Sequence, residues 1–201
     1  PILKNNPDEI ADKTEIRKKF GFNEEDKIIL ITVGGSEFGK KLLKLIYEAS
    51  DSIESDKIII VTGPKIKSDF IQNSDKIIKK KFLDNMMEWM NISDLVISLA
   101  GHTTTMELAS LGVPNILVPI DNHPEQAKNA LNMEKYGISI VNNLKELNPV
   151  DFAANINSAL NNEKLKRNAE IVKRKFSKYN GTENTIKIIS EYAGLNKNIY
   201  N

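Results

Sequence analysis

The sequence predicts an α/β fold: a Rossmann-like parallel sheet with helices on both faces, followed by C-terminal helices. Two observations carry this. From residue 27 onward, short β-branched runs alternate with longer stretches of helical period, the pattern of successive βα units around a parallel sheet. The runs are also apolar almost without interruption, as in Lys27-Ile28-Ile29-Leu30-Ile31-Thr32-Val33 and Asp94-Leu95-Val96-Ile97-Ser98. A strand covered on one face alternates polar with apolar, so continuous runs imply helices above and below the sheet.

Taken in order, strands are expected near 27–33, 57–61, 75–80, 94–98, 115–118 and 138–141, with helices between most of them. The leading segment Pro1 to Glu9 holds two prolines, two asparagines and no periodicity, and reads as a linker. The first strand ends in Gly34-Gly35-Ser36-Glu37-Phe38-Gly39 and yields to a helix from about Lys40 to Ala49. Residues 147–195 read as helices broken at Asn180-Gly181. Within them the basic tract from Lys164 to Lys175 could suggest a phosphate or membrane face. Leu165, Ala169, Val172 and Phe176 recur there at helical spacing, so it is read instead as the solvated side of a packed helix.

Composition narrows the function classes. With 201 residues and 40% hydrophobic content, the chain can bury one full core and fits one domain better than two. Lys and Arg number 28 against 27 Asp and Glu, so no overall field favours nucleic acid or an anionic membrane. The absence of cysteine excludes disulfides, a thiolate nucleophile and Cys-ligated zinc, which fits a reducing cytoplasm. His102 and His123 are the only imidazoles and lack both helical spacing and clustered carboxylates, so no metal is expected. No apolar run approaches the roughly 18 residues of a spanning helix, and a soluble domain is expected. The chain opens with Pro1 and has no signal-like segment, so it is expected to be a piece of a longer protein.

In open parallel sheets ligands sit beyond the carboxyl ends of the strands, which directs attention to the loops there. Gly34-Gly35 lets backbone approach an anion, and the helix that follows offers unpaired N–H groups. A tight turn alone would explain the same glycines. After the fourth run comes Ala100-Gly101-His102-Thr103-Thr104-Thr105-Met106-Glu107, then Leu108 to Pro114. Hydroxyls and amides at this strand-to-helix junction could hold an anionic group, and Glu107 could accept from ribose hydroxyls. The competing reading makes Thr104 and Glu107 a capping box. The third loop, Pro119 to Gln126, gathers acids and amides able to bond several hydroxyls of a sugar; turn and N-cap chemistry also account for Asp121, Asn122 and Pro124.

In this order the loops resemble the C-terminal, donor-binding domain of GT-B glycosyltransferases. The resemblance is to the family 28 group that contains the peptidoglycan lipid-intermediate N-acetylglucosaminyltransferase. It rests on Gly34-Gly35-Ser36, Phe82-Leu83-Asp84-Asn85-Met86, Gly101 to Glu107 with Gly112-Val113-Pro114, and Glu125-Gln126 with Asn129-Ala130, and covers about residues 25–195.

The resemblance implies an inverting, metal-independent transferase that moves a hexose or N-acetylhexosamine from a UDP-sugar to an acceptor hydroxyl, with the donor as substrate and no separate cofactor. Ser36 and the amides around Gly34 and Gly35 would contact the diphosphate, and Leu83 would offer backbone to uracil. Thr103 and Thr104, in the loop with Gly101 and His102, would bind phosphate. Glu107 would hold the ribose, and Glu125 and Gln126 would orient the hexose. Lys4 would stand where the family has a basic phosphate contact. Residues 1–24 would be interdomain linker and leading helix, and 25–201 the donor-binding domain. An acceptor-binding N-terminal half, on the same chain or a companion chain, would carry the general base. No catalytic residue is therefore assigned here, and the chain alone is expected to bind without transferring. Action in the cytoplasm is implied, with room for peripheral association of the full enzyme at the membrane's cytoplasmic face.

Two departures stand out. Leu99 occupies the place of a histidine in the related glucuronosyltransferase-like pattern, and Glu125-Gln126 replaces two glutamines of the peptidoglycan enzyme. Two other readings stay open: an enzyme like UDP-N-acetylglucosamine 2-epimerase, whose double-glycine loop and sugar-loop arginine are missing here, and a non-catalytic donor-binding subunit of a two-chain transferase.

Overall fold

Each of the six expected segments forms a strand in the computed structural model, which describes residues 7, 10–35 and 37–193. Lys4, Ser36 and all of the leading segment except Pro7 lie outside the described residues. The strands are β1 (Ile28–Thr32), β2 (Lys57–Val61), β3 (Ile77–Lys80), β4 (Leu95–Ser98), β5 (Asn115–Leu117) and β6 (Ser139–Val141). The helices are α1 (Lys13–Lys19), α2 (Lys40–Ala49), α3 (Met86–Ile92), α4 (His102–Leu111), α5 (Pro124–Lys135), α6 (Pro149–Leu160), α7 (Glu163–Phe176) and α8 (Gly181–Tyr192).

All pairings are parallel, in the spatial order β3-β2-β1-β4-β5-β6. The chain therefore builds outward from β1 to β3, then returns to the other side of β1 for β4.

Side chains alternate across the sheet, and each face has its own helices. Ile29 and Ile31 join Leu42, Leu43 and Ile46 of α2 and Phe152 and Ile156 of α6. Ile28 and Leu30 join Ile16 of α1, Met87 and Met90 of α3 and Leu108 of α4. All five residues of β1 are buried, as its uninterrupted apolar run required. A third cluster unites Ala109, Ala130, Met133, Ala169 and Val172, with Phe176 packed against it, so α7 does turn its apolar stripe inward and its basic face out.

The link from β2 to β3 contains no helix among the described residues. Its backbone is held instead by Lys76, whose Nζ donates to Ser50 O at 2.8 Å, and by Lys79, whose Nζ donates to Ile71 O at 2.7 Å. Asn73 Oδ1 accepts from Lys79 N–H at 2.7 Å and Ser74 Oγ from Ile77 N–H at 3.0 Å, which covers the outer side of the edge strand.

Helix α1 is docked on this body. The Arg17 side chain is only 5% exposed; its Nη2 donates to Asp94 Oδ2 at 2.9 Å and to Ile92 O at 2.8 Å. The same Asp94 oxygen accepts from Ile28 N–H at 2.8 Å, so one carboxylate ties α1 to the starts of β1 and β4. Phe20 stacks on Trp89 of α3 at 4.2 Å between ring centroids. Arg17→Ala would take the hydrogen bonds to Asp94 and Ile92 O away, while Asp94 keeps Lys13 Nζ at 2.8 Å and Ile28 N–H, so it should lower folding stability by about 1–3 kcal/mol. Urea denaturation measures it; an unchanged midpoint would show that α1 is not anchored through this carboxylate.

Candidate functional site

The register brings the last residues of all six strands into a single row. Thr32 pairs with Val61 and with Ser98; Val61 pairs with Lys80, Ser98 with Leu117, and Leu117 with Val141. Every following loop therefore leaves from one edge. The loops after β1 and β4 flank the point where the strand order reverses, and the loop after β5 is next to them. Two interstrand spacings separate β1 from β5, about 10 Å.

The loop after β1 turns sharply. Gly34 has φ 69°, and a 3-10 turn, Glu37–Gly39, stands between the glycine pair and α2. The glycines thus do not abut α2 directly. The carbonyl of Gly34 sits against Gly63 of the neighbouring loop, where a Cβ added to Gly63 would lie 2.1 Å from that oxygen.

The loop after β4 delivers the start of α4. Its N-cap is Gly101, extended at φ −62° and ψ 144°, with no side-chain capping bond. The first helical hydrogen bond runs from Thr105 N–H to Gly101 O at 3.0 Å, so the amides of His102, Thr103 and Thr104 have no partner inside the helix's own ladder. His102 and Thr103 are exposed and Thr104 half-buried. This corrects the capping-box reading: the box needs Thr104 at the N-cap, and Thr104 is the third residue of the helix. Glu107 is the sixth and only 8% exposed. Helical side chains lean toward the N-terminus, which carries its carboxylate back toward the first turn.

In the loop after β5, Asn122 adopts φ 58° and His123 is the N-cap of α5, with Nδ1 accepting from Gln126 N–H at 3.4 Å. Gln126 turns its Oε1 inward to accept from Ile120 N–H at 2.9 Å, while Glu125 is exposed. Asn129 Nδ2 donates to Ala100 O at 3.1 Å, joining α5 to the loop after β4. At the far side, beyond β3, the Leu83 side chain is buried at 7% and pins its loop, leaving Phe82 70% exposed beside it.

A cleft of about 480 Å³ opens at this edge between Pro119–Pro124 and Val141–Glu146. A larger hollow of about 1030 Å³ lies at the opposite end of the sheet, around Asp94, Pro114 and Asn180. It is walled in part by α8, none of whose residues is buried, so it is a gap beside a weakly packed helix. The edge bearing the α4 amides is the one at which polar groups from several loops come together. Among the described residues no three His, Cys, Asp or Glu side chains group as metal ligands would, and no helix is long and apolar enough to cross a membrane.

Sequence reasoning missed Gly63 and Ala100. The glycine after β2 was a signal, but its contact with Gly34 follows from strand order, and nothing local marks Ala100 as left-handed at φ 62°.

Residues 28–184 match the model of the glycosyltransferase family 28 C-terminal domain. An uncharacterized glycosyltransferase of Methanopyrus kandleri is 32% identical over 160 residues, 80% of this chain and 46% of that protein. The UDP-N-acetylglucosamine–N-acetylmuramyl-(pentapeptide) pyrophosphoryl-undecaprenol N-acetylglucosamine transferase of Lactobacillus helveticus is 28% identical over 194 residues, 90% of this chain and 52% of that protein. The chain thus spans about half the length of the curated relatives it matches. Among solved structures, the calicheamicin glycosyltransferase CalG4 superposes with TM-score 0.73 at 13% identity, over 87% of this chain and 44% of that one. The glycosyltransferase of kitacinnamycin gives 0.71 at 15%, over 95% and 47%. At such identity the likeness shows the fold.

The contact of Gly63 with Gly34 O fixes the first of these turns, and Gly63 is itself left-handed at φ 73°. Gly63→Ala should lower stability by at least about 1–2 kcal/mol from conformation alone. A urea midpoint equal to that of the parent chain would refute this packing of the two turns.

Proposed function

This chain belongs to the family of glycosyltransferase family 28 C-terminal domains, and from that premise we propose that it is the donor-binding half of a transferase acting on a UDP-sugar. The observation that carries the reading is the row of strand ends, which gathers the Gly34-Gly35 turn, the helix-start amides of His102, Thr103 and Thr104, and the Glu125-Gln126 loop at one edge.

In this reading the diphosphate of the donor lies across the switch point. The start of α4 faces it with three N–H groups and the positive end of the helix dipole, and the Gly34-Gly35 backbone approaches from β1. Ser36 and Lys4 belong to the same proposal as further diphosphate contacts. Glu107 accepts from the ribose hydroxyls, and the Leu83 backbone meets the uracil. Glu125, together with the Gln126 amide nitrogen turned away from Ile120 by the inward set of Oε1, addresses the hexose.

As the acceptor hydroxyl attacks the anomeric carbon with inversion, negative charge grows on the departing diphosphate. Peptide dipoles already fixed by the fold stabilise that charge, and the proposal needs no metal for it. The base that deprotonates the acceptor comes from an acceptor-binding half, on the same or a companion chain. Residues 25–201 form the donor domain in this scheme, with residues 1–24 as linker and leading helix; the docking of α1 through Arg17 supports the leading helix moving with the domain.

Calorimetric titration with UDP, GDP and dTDP tests the reading. UDP should bind, and Glu107→Ala should weaken it by about 1–3 kcal/mol, the effect of losing hydrogen bonds to a buried carboxylate. Unchanged UDP affinity in that variant would remove the ribose assignment, and no binding of any of the three nucleotides would remove the donor site.

A further inference from the structure

Ala100 is fully buried and sits at φ 62°, in the left-handed region that a residue with a Cβ avoids. Gly101, the N-cap of α4, follows it directly, so the conformation of Ala100 decides where α4 begins and which way its first amides point. If Ala100 relaxed to a negative φ, the chain would leave β4 in another direction and His102, Thr103 and Thr104 would move with it. Besides its packing with Ala109, Leu117 and Ala130, Ala100 meets one side chain remote in sequence. Asn129, half-buried in the second turn of α5, donates its Nδ2 hydrogen to the Ala100 carbonyl at 3.1 Å across a separation of 29 residues.

We propose that Asn129 is a positioning residue for the donor site, a clamp that keeps Ala100 left-handed and thereby aims the amides at the start of α4. The clamp also couples two loops: α5 begins in the Pro119–Gln126 loop, so a shift of that loop on meeting a sugar is transmitted to the anion seat. The ligand side of this inference rests on the donor-binding reading above; the conformational side does not.

The test uses the chain with Asn129→Ala, Ala100→Gly and the double variant, with Asn129→Asp as a second variant that keeps the shape and removes the donor. Glycine adopts positive φ freely, so Ala100→Gly should make the clamp dispensable. Without ligand, Asn129→Ala and Asn129→Asp should speed amide hydrogen exchange over residues 99–104, and only there, by about 3- to 10-fold, the worth of one neutral hydrogen bond. In the Ala100→Gly background the change should fall below about twofold. With UDP, the dissociation constant should rise by a similar factor for Asn129→Ala and by less than about twofold in the glycine background. Unaltered exchange at 99–104, or acceleration spread through the whole chain, would overturn the clamp. An equal loss of UDP affinity in both backgrounds would overturn it too, by making Asn129 a direct ligand contact. A parent chain that binds no UDP would sink the donor reading while the exchange measurement still decides the clamp.

Discussion

The structure depends on one constraint: parallel strands paired in register end together. Because Lys80, Val61, Thr32, Ser98, Leu117 and Val141 stand side by side, no loop after a strand can leave anywhere but the same edge. Hydrogen bonding within the sheet makes that row, and burial on both faces fixes its register, since a shift of one residue would turn Ile29 and Ile31 to the wrong side. Backbone pairing thus sets where the loops gather before any of their side chains is considered.

From that row, each loop is held by a different local device. The β1 turn is held by Gly63, whose missing Cβ lets Gly34 O rest against it. The β4 loop runs through a left-handed alanine into a helix whose N-cap, Gly101, supplies no side chain. The β5 loop is closed by its own side chains, Gln126 onto Ile120 N–H and His123 onto Gln126 N–H. The β5 loop thus uses its N–H groups internally, whereas the first turn of α4 leaves the amides of His102, Thr103 and Thr104 outside the helix's own ladder. In the proposed function such fixed dipoles would need no reorganisation as charge develops beside them. The half-buried ion pair of Arg17 and Asp94 works at the opposite end of the sheet, where it fastens α1.

Much of this was legible in the sequence because the physics behind it is local. Short β-branched runs locate all six strands within about two residues, and Leu165, Ala169 and Val172 identify the inward face of α7. The expected start of β3, at 75, precedes the observed Ile77 because Ser74 holds the Ile77 amide and the residues between them belong to that turn. The start of α4 differs for a related reason: with Gly101 followed by His102 and three threonines, the Thr-x-x-Glu pattern is present, but the helix begins before it. The contacts between loops were not legible. Gly63 against Gly34, and Asn129 against Ala100, join residues 29 apart in each case through a strand order that only the folded sheet reveals.

The central claim is that a nucleoside diphosphate is held by peptide amides of separate loops at this one edge. Backbone amide resonances followed through titrations with UDP and with uridine test it most directly. The account predicts that UDP shifts Gly34, Gly35, His102, Thr103 and Thr104 together with Leu83, and that uridine, lacking the diphosphate, leaves the first five nearly unmoved. Shifts from UDP confined to the hollow around Asp94, Gly112 and Asn180 would contradict it.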